Sequence, residues 1–287
     1  MVFWIELLIA GVVSGLVIGL VALSITLVFG IARFPNAATG DTMTLGAYGA
    51  LAGHAATGSL VLGGALGALA GAAAGLAAYA LVFRRLAGRS TVSMLVASIG
   101  IGFILRAGLA LAFGHTQQVF QVPLVRPWRI EGVRVHPNDL RLAATAAFSL
   151  AVVFATLYLT PIGRRMRAVA DDPALARVSG ISPVRVMVAL WLLAGAVAAI
   201  AGVILGLRTV VSPEMGWEML LPGFAAAILG GIGNPAGAVA AGLILGIAQE
   251  MATPVVGFTY KIALAFVVML ATCCCRLGSR CITGSRG

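Results

Sequence analysis

Three ionisable residues stand out against apolar surroundings in this chain: Asp41, Arg106 and Glu250. An unpaired charge at the centre of a membrane helix costs about 2.5–3.5 kcal/mol, so each must sit near a span end, find a partner or line a polar path. Asp41 follows Pro35, Asn36 and Gly40, which interrupt the apolar pattern before it resumes at Met43 for about 15 residues. That length is short for a span and suggests a broken or re-entrant helix, whose irregular backbone survives only where protein buries it or it lines a wet cavity. Asp41 therefore reads either as a residue lining such a cavity or as a plain interfacial helix cap. Arg106, within the apolar residues 91–113, reads either as snorkelling to the interface or as part of a pathway. A second interruption pairs a polar turn at residues 212–218, containing Glu214, with a Gly-rich turn at residues 230–237. Two short, interrupted segments in corresponding places of a chain point to a translocation path. They make Arg33, Asn36, Asp41 and Glu214 candidates for that path or its gates.

Other chemistry is excluded by residue type. The only Lys is Lys261, which follows Tyr260, so no Gly-Lys-Ser/Thr phosphate loop exists and the chain does not bind ATP in that way. There is no HExxH or GxSxG, and His54, His115 and His136 are isolated from one another in sequence. Cys273, Cys274, Cys275 and Cys281 have neither zinc-site nor disulfide-framework spacing. No catalytic residue, metal or cofactor is expected, and any work done on a solute must be supplied from outside the chain.

The longest charge-rich interruption, residues 161–186, has a legible shape of its own. Asp172 can cap a helix whose first residue is Pro173, because Pro lacks the N–H that a first-turn position would leave unpaired. Gly180 can take the left-handed conformation that ends it. Ser182 and Pro183 repeat the cap-then-proline pattern, so a longer helix should start there. Leu175 and Val178 are three apart and share a face of the short helix, with no core of their own to enter. A short, doubly capped helix between two spans is a protruding knob.

These features are carried by a polytopic membrane protein. The 287 residues are 61% hydrophobic and 10% charged, with a mean hydropathy of +1.07, against about 45–50% apolar and 25% charged in soluble domains. Charged clusters separated by roughly 20 apolar residues fit an all-α fold of about eight or nine transmembrane helices, some broken or re-entrant. Neither polar stretch, residues 114–139 or 161–186, is long enough to bury a core, so residues 1–287 form one domain. The apolar run at residues 5–31 exceeds a signal-peptide core and lacks a preceding positive region, so it is expected to be a retained first span. Glycines spaced by four, Gly11, Gly15 and Gly19 in that span and Gly63, Gly67, Gly71 and Gly75 in residues 60–83, predict close helix packing. The net charge of +10 resides in short loops, where it sets orientation rather than binding nucleic acid. Arg84, Arg85, Arg89, Arg164, Arg165, Arg167, Arg177 and Arg185 lie in loops on one side of the membrane, against Arg126, Arg129 and Arg134 in the loop between them. The positive-inside rule then places the knob in the cytoplasm.

Four patches resemble the permease subunits of the branched-chain amino acid ABC transporters, of the LivH type: RFPNAATGDTMTLGAYGA at residues 33–50, GRRMRAVADDPALARVSGI at 163–181, SPEMG at 212–216 and ILGGIGNPAGAVAAGLILGIAQE at 228–250. The second is similar to the cytoplasmic coupling loop of ABC importers. The resemblance implies that Ala168, Asp172, Pro173, Leu175, Arg177, Val178 and Gly180 couple this chain to an ATPase. It also implies two ATP-binding cassette subunits, a second permease of the LivM type, a periplasmic substrate-binding protein and a place in a bacterial inner membrane. The tail CCCRLGSRCITGSRG departs from the apolar run and Arg-Pro-x-Gly-Leu-like segment usual in the family. The competing reading is a stand-alone secondary transporter or channel for small polar solutes. It would want paired ionisable groups at membrane depth, whereas Asp41, Arg106 and Glu250 are scattered along the sequence. An intramembrane enzyme would lack a nucleophile and base.

Overall fold

A computed structural model describes residues 2–121, 128–130 and 133–257 and, beyond those, only residues 263, 266, 267 and 270. The helices are α1 (Val2–Ala32), α2 (Ala38–Thr57), α3 (Leu60–Ala78), which continues through a π-helical turn at Tyr79–Phe83 into the short α4 (Arg84–Leu86), and α5 (Thr91–Phe113). A small hairpin of β1 (Trp128–Ile130) and β2 (Val133–Val135) follows, paired antiparallel. Then come α6 (Pro137–Leu159), α7 (Pro161–Asp171), α8 (Pro173–Val178), α9 (Pro183–Arg208), α10 (Met215–Gly230) and α11 (Pro235–Val256). Among the described residues, six helices are long and apolar enough to cross a membrane: α1, α3 with its extension, α5, α6, α9 and α11. The two interrupted elements, α2 and the shorter α10, pack among them, so the chain is an all-α polytopic membrane protein. The last expected span, from Lys261 to about Cys275, falls largely outside the described residues.

Hydrocarbon offers helices no hydrophobic reason to associate, so close backbone approach must do that work. Gly11, Gly15 and Gly19 face α11 at Ile247, Leu243 and Val239, and a methyl group on Gly15 would lie only 2.8 Å from the Leu243 Cα. Along α3, the buried residues are Gly63, Gly67, Gly71 and Gly75. The first two face Ala50 and His54 of α2 or its Gly46, and the last two face Trp191, Gly195 and Ala199 of α9. The centre of the bundle is α1, α2 and α9, whose side chains form most of the apolar core. By contrast α5 and α6 leave large apolar side chains such as Phe103, Ile104, Leu111 and Phe148 exposed, as suits a surface toward lipid or another subunit.

The polar stretch before α9 is more ordered than the sequence reading expects. Besides the short helix it contains α7, opened by the Thr160 hydroxyl accepting from the Gly163 N–H, with Gly163, Met166 and Val169 buried on one face. Apolar spacing of three at Met166 and Val169, behind a Thr-Pro start, was the available sign. Ser182 stands at the N-cap of α9 as expected, but makes no side-chain capping hydrogen bond.

Candidate functional site

The two interrupted elements begin against one another. Gly40 in the first turn of α2 and Gly216 in the first turn of α10 meet backbone to backbone, too close for a Cβ on either. The Gly216 N–H donates to the Thr44 hydroxyl at 3.1 Å. One residue on from this crossing, Asp41 is 2% exposed and accepts two hydrogen bonds on Oδ1, from Arg106 Nε at 3.0 Å and Nη2 at 2.9 Å. The guanidinium carbon lies 5.0 Å from the ring centre of Trp217 on α10 and 5.5 Å from that of Phe103 on α5, within reach of a cation–π attraction. Gly102, halfway along the 23-residue α5, lets that helix close on the carboxylate, since a Cβ there would strike Asp41 Oδ2.

Asp41 is therefore not an interfacial cap, and Arg106 does not snorkel. Each offsets the cost of the other's charge, and together they staple α2, α5 and α10 inside the bundle. Asp41 also lies in the first turn of α2, where the helix dipole favours a negative charge. The ionisable groups that look scattered in sequence are paired in space, because residues 65 apart meet across two helices. Glu250 is likewise paired, with Arg208.

The other candidates spread along the connector and the turn. Residues 33–37 join α1 to α2, with Arg33 at φ 59°, the one non-Gly positive φ among the described residues. Phe34 is buried against Phe83 and Trp191. Asn36 is buried, its Oδ1 accepting from the Ala38 N–H, while the Ala37 N–H donates to the Ser98 hydroxyl of α5 at 3.1 Å. Arg33 itself is exposed and reaches the other way, donating from Nη2 to the carbonyls of Ala170 at 3.0 Å and Asp171 at 3.4 Å. Glu214 is exposed at the N-cap position of α10, its carbonyl accepting from the Trp217 N–H. Asp41 and Glu214 thus lie at the crossing, Asn36 inside the connector and Arg33 at the knob. Trp217, Thr44 and Ser98 belong to the same arrangement, and no spacing in the sequence pointed to them.

In the knob, Asp172 Oδ1 accepts from the Ala174 N–H at 2.7 Å and the Leu175 N–H at 3.1 Å, with Pro173 in the first turn. Gly180 has φ 79°, its N–H donates to the Arg177 carbonyl, and the Ile181 N–H donates to the Ala176 carbonyl. Those paired bonds are the Schellman closure that a left-handed glycine permits. The Ala168 carbonyl accepts from the Asp172 N–H, joining α7 to α8 through a tight corner. Ala176 is buried, whereas Leu175 and Val178 are 64% and 87% exposed. Arg177 stands, with Arg84, at a cavity of about 320 Å³ lined by Phe34, Phe83 and Trp191.

Comparison with known proteins agrees in extent. The profile of the family described as "Branched-chain amino acid transport system / permease component" matches residues 7–273. The chain is 28% identical to the high-affinity branched-chain amino acid transport system permease protein LivH of Escherichia coli over 93% of this chain and 92% of that protein. It is 26% identical to BraD of Pseudomonas aeruginosa, a permease protein of the same description, over 93% and 92%. A 90-residue stretch, 31% of this chain and 28% of the relative, is 37% identical to the ribose import permease protein RbsC of Bacillus subtilis. Among solved structures, a chain of PsaBC from Streptococcus pneumoniae in complex with Fab shares the fold, with a TM-score of 0.50 at 13% identity, covering 92% of this chain and 89% of that one.

Proposed function

The chain belongs to the branched-chain amino acid permease family, and we propose that it is the transmembrane permease subunit of an ABC importer, forming the translocation path for branched-chain or related amino acids. In this reading two ATP-binding cassette subunits supply the work, a second permease of the LivM type completes the path across a bacterial inner membrane, and a periplasmic binding protein delivers substrate to it. The chain itself catalyses nothing.

The observation that carries the reading is the knob: a rigid, doubly capped helix that presents two apolar side chains to solvent and has no core to put them in. An apolar face held out in this way fits a groove on a partner. Residues Ala168, Asp172, Pro173, Leu175, Arg177, Val178 and Gly180 form or frame it, and Arg33 ties it to the start of α2. A carrier working alone could use the Asp41–Arg106 pair but has no use for such a knob.

The test is reconstitution of the complex in liposomes with ATP inside and binding protein outside. ATP-dependent accumulation of labelled leucine, abolished when the ATP-binding subunits are omitted, is the expected result. Accumulation driven by an ion gradient without those subunits would replace this reading with the secondary transporter.

A further inference from the structure

The end of the bundle away from the knob contains a second, half-buried charged group, between α1, α9 and α11. Ser14 donates its hydroxyl proton to Glu250 Oε1 at 2.7 Å and accepts from Arg208 Nη1. Arg208 Nη2 donates to the Ala10 carbonyl at 3.2 Å and stands 4.0 Å from Glu250 Oε1. The side chains of Arg208 and Glu250 are only 20% and 13% exposed. Opposite charges are thus brought to the same place but held slightly apart, bridged by a hydroxyl rather than locked in a direct fork.

They border a cavity of about 290 Å³ whose other walls are mostly apolar, with Val17, Ile18, Leu205 and Met219, and include the polar Thr209 and the buried Gln249. Small-molecule pockets run from about 300 to 1,000 Å³ and combine apolar walls with a few placed polar groups. This one is at the small end, of a size for a single amino acid. An empty cavity needs no cation and anion at its rim, and a purely structural ion pair needs no cavity beside it.

We propose that this cavity is a binding site for a zwitterionic amino acid with an aliphatic side chain: Arg208 takes the α-carboxylate, Glu250 the α-ammonium, and Val17, Leu205 and Met219 receive the side chain. The proposal rests on the reading that the chain carries amino acids, and adds where in the chain one is held. A guanidinium offers planar paired donors to a carboxylate, which its single bonds to Ser14 and Ala10 do not use up. Ser14, already both donor and acceptor, can stay with Glu250 when the ligand takes Arg208. Two opposite charges side by side match both ends of a zwitterion, whereas an amide or a fatty acid would engage only one of them and a sugar or urea neither.

The permease, purified with the subunits that accompany it but without soluble binding protein, is titrated with labelled L-leucine, and competed with leucinamide, isovalerate and ribose. Saturable leucine binding should be at least tenfold tighter than that of any competitor. Arg208→Gln and Glu250→Gln should each weaken it tenfold or more, and Leu205→Phe, which fills the cavity while keeping both charges, should weaken leucine more than alanine. The thermal unfolding midpoint separates a lost site from a lost fold. Leucine binding unchanged in a folded Arg208→Gln, or competition by leucinamide equal to that by leucine, overturns the proposal. If the reconstituted wild type accumulates ribose or urea and no amino acid, the functional reading itself fails. If it accumulates leucine while all three variants bind leucine as the wild type does, only this site fails.

Discussion

The Arg33 guanidinium donates to the carbonyl of Ala170 at 3.0 Å, tying the corner where α1 turns into α2 to the last turn of α7, next to the knob. Arg33 adopts a left-handed backbone conformation at φ 59°, which costs a non-Gly residue of order 1 kcal/mol. The turn it makes sends Phe34 under Phe83 and Trp191, then Asn36 and Asp41 into the bundle. A displacement of α7 therefore has a direct hydrogen-bonded route to the residues that start α2.

Replacing Arg33, Asn36 or Glu214 by Ala is expected to impair uptake while the complex stays at normal level in the membrane, and Asp41→Ala to impair uptake and also to destabilise the permease, because it strips Arg106 of its partner. Arg33→Gly is the sharper variant, because Gly accepts φ 59° without strain, so the side chain with its guanidinium is lost while the turn is kept. It should lose coupling, with ATP hydrolysis persisting and uptake reduced several-fold. Uptake at wild-type rate in all four Ala variants would remove these residues from the path and its gates.

The Asp41–Arg106 pair should behave as a buried ion pair. Removing one partner leaves an uncompensated charge at a cost of about 3–5 kcal/mol, whereas replacing both by neutral residues leaves none. Asp41→Asn and Arg106→Gln should each lower the thermal unfolding midpoint of the purified permease well below that of the double variant. If the single and double variants lose stability additively, the two residues do not depend on one another and the staple at the α2–α10 crossing is not electrostatic.

Much of this arrangement could be read from the chain before any coordinates, where a local rule decides it. The caps of α8 follow from Asp172-Pro173 and Gly180, and the close-packed faces of α1 and α3, though not the helices they meet, follow from glycines four apart, since a helix puts them on one face whatever surrounds it. The breaks before α2 and α10 were visible as polar and glycine residues in apolar runs. What those breaks meet was not: Gly40 touches Gly216 from 176 positions away, and Asp41 finds Arg106 only because Gly102 lets α5 approach. A single sequence carries no trace of which charge another charge will face, so Arg106 read either as snorkelling or as part of a pathway, and Glu250 as one of three scattered charges. Ser14 and Arg208 gave no sign at all.

Orientation is open to direct measurement. The Arg-rich loops following α3 and α6 are expected in the cytoplasm and residues 114–139 outside, with Gln118 paired through its backbone to Val211 at the same end of the bundle. An impermeant thiol reagent applied to intact cells should modify a Cys placed at Gln118 and spare one placed at Ala174. The opposite pattern would invert the topology and put the knob where no ATP-binding subunit could reach it.

The knob should couple by shape and packing rather than by charge. Leu175 and Val178 are its exposed apolar residues, whereas Asp172 is committed to capping two N–H groups and Arg177 leans over the aromatic cavity beneath. Losing a buried Leu contact at an interface costs up to a few kcal/mol, so Leu175→Ser should weaken association with the ATP-binding subunit by one to two orders of magnitude and abolish uptake. A Cβ added at Gly180 would meet nothing within 4 Å, so space is not the constraint there and the positive φ of 79° is. Gly180→Val should therefore be severe and Gly180→Asn mild, because Asn tolerates the left-handed region and a β-branched residue does not. Arg177→Gln should do less than either Leu175→Ser or Gly180→Val. Co-purification of the ATP-binding subunit with each variant decides the matter: retention by the Leu175 and Gly180→Val variants together with loss in Arg177→Gln would make the docking electrostatic, with the exposed apolar pair left without a role.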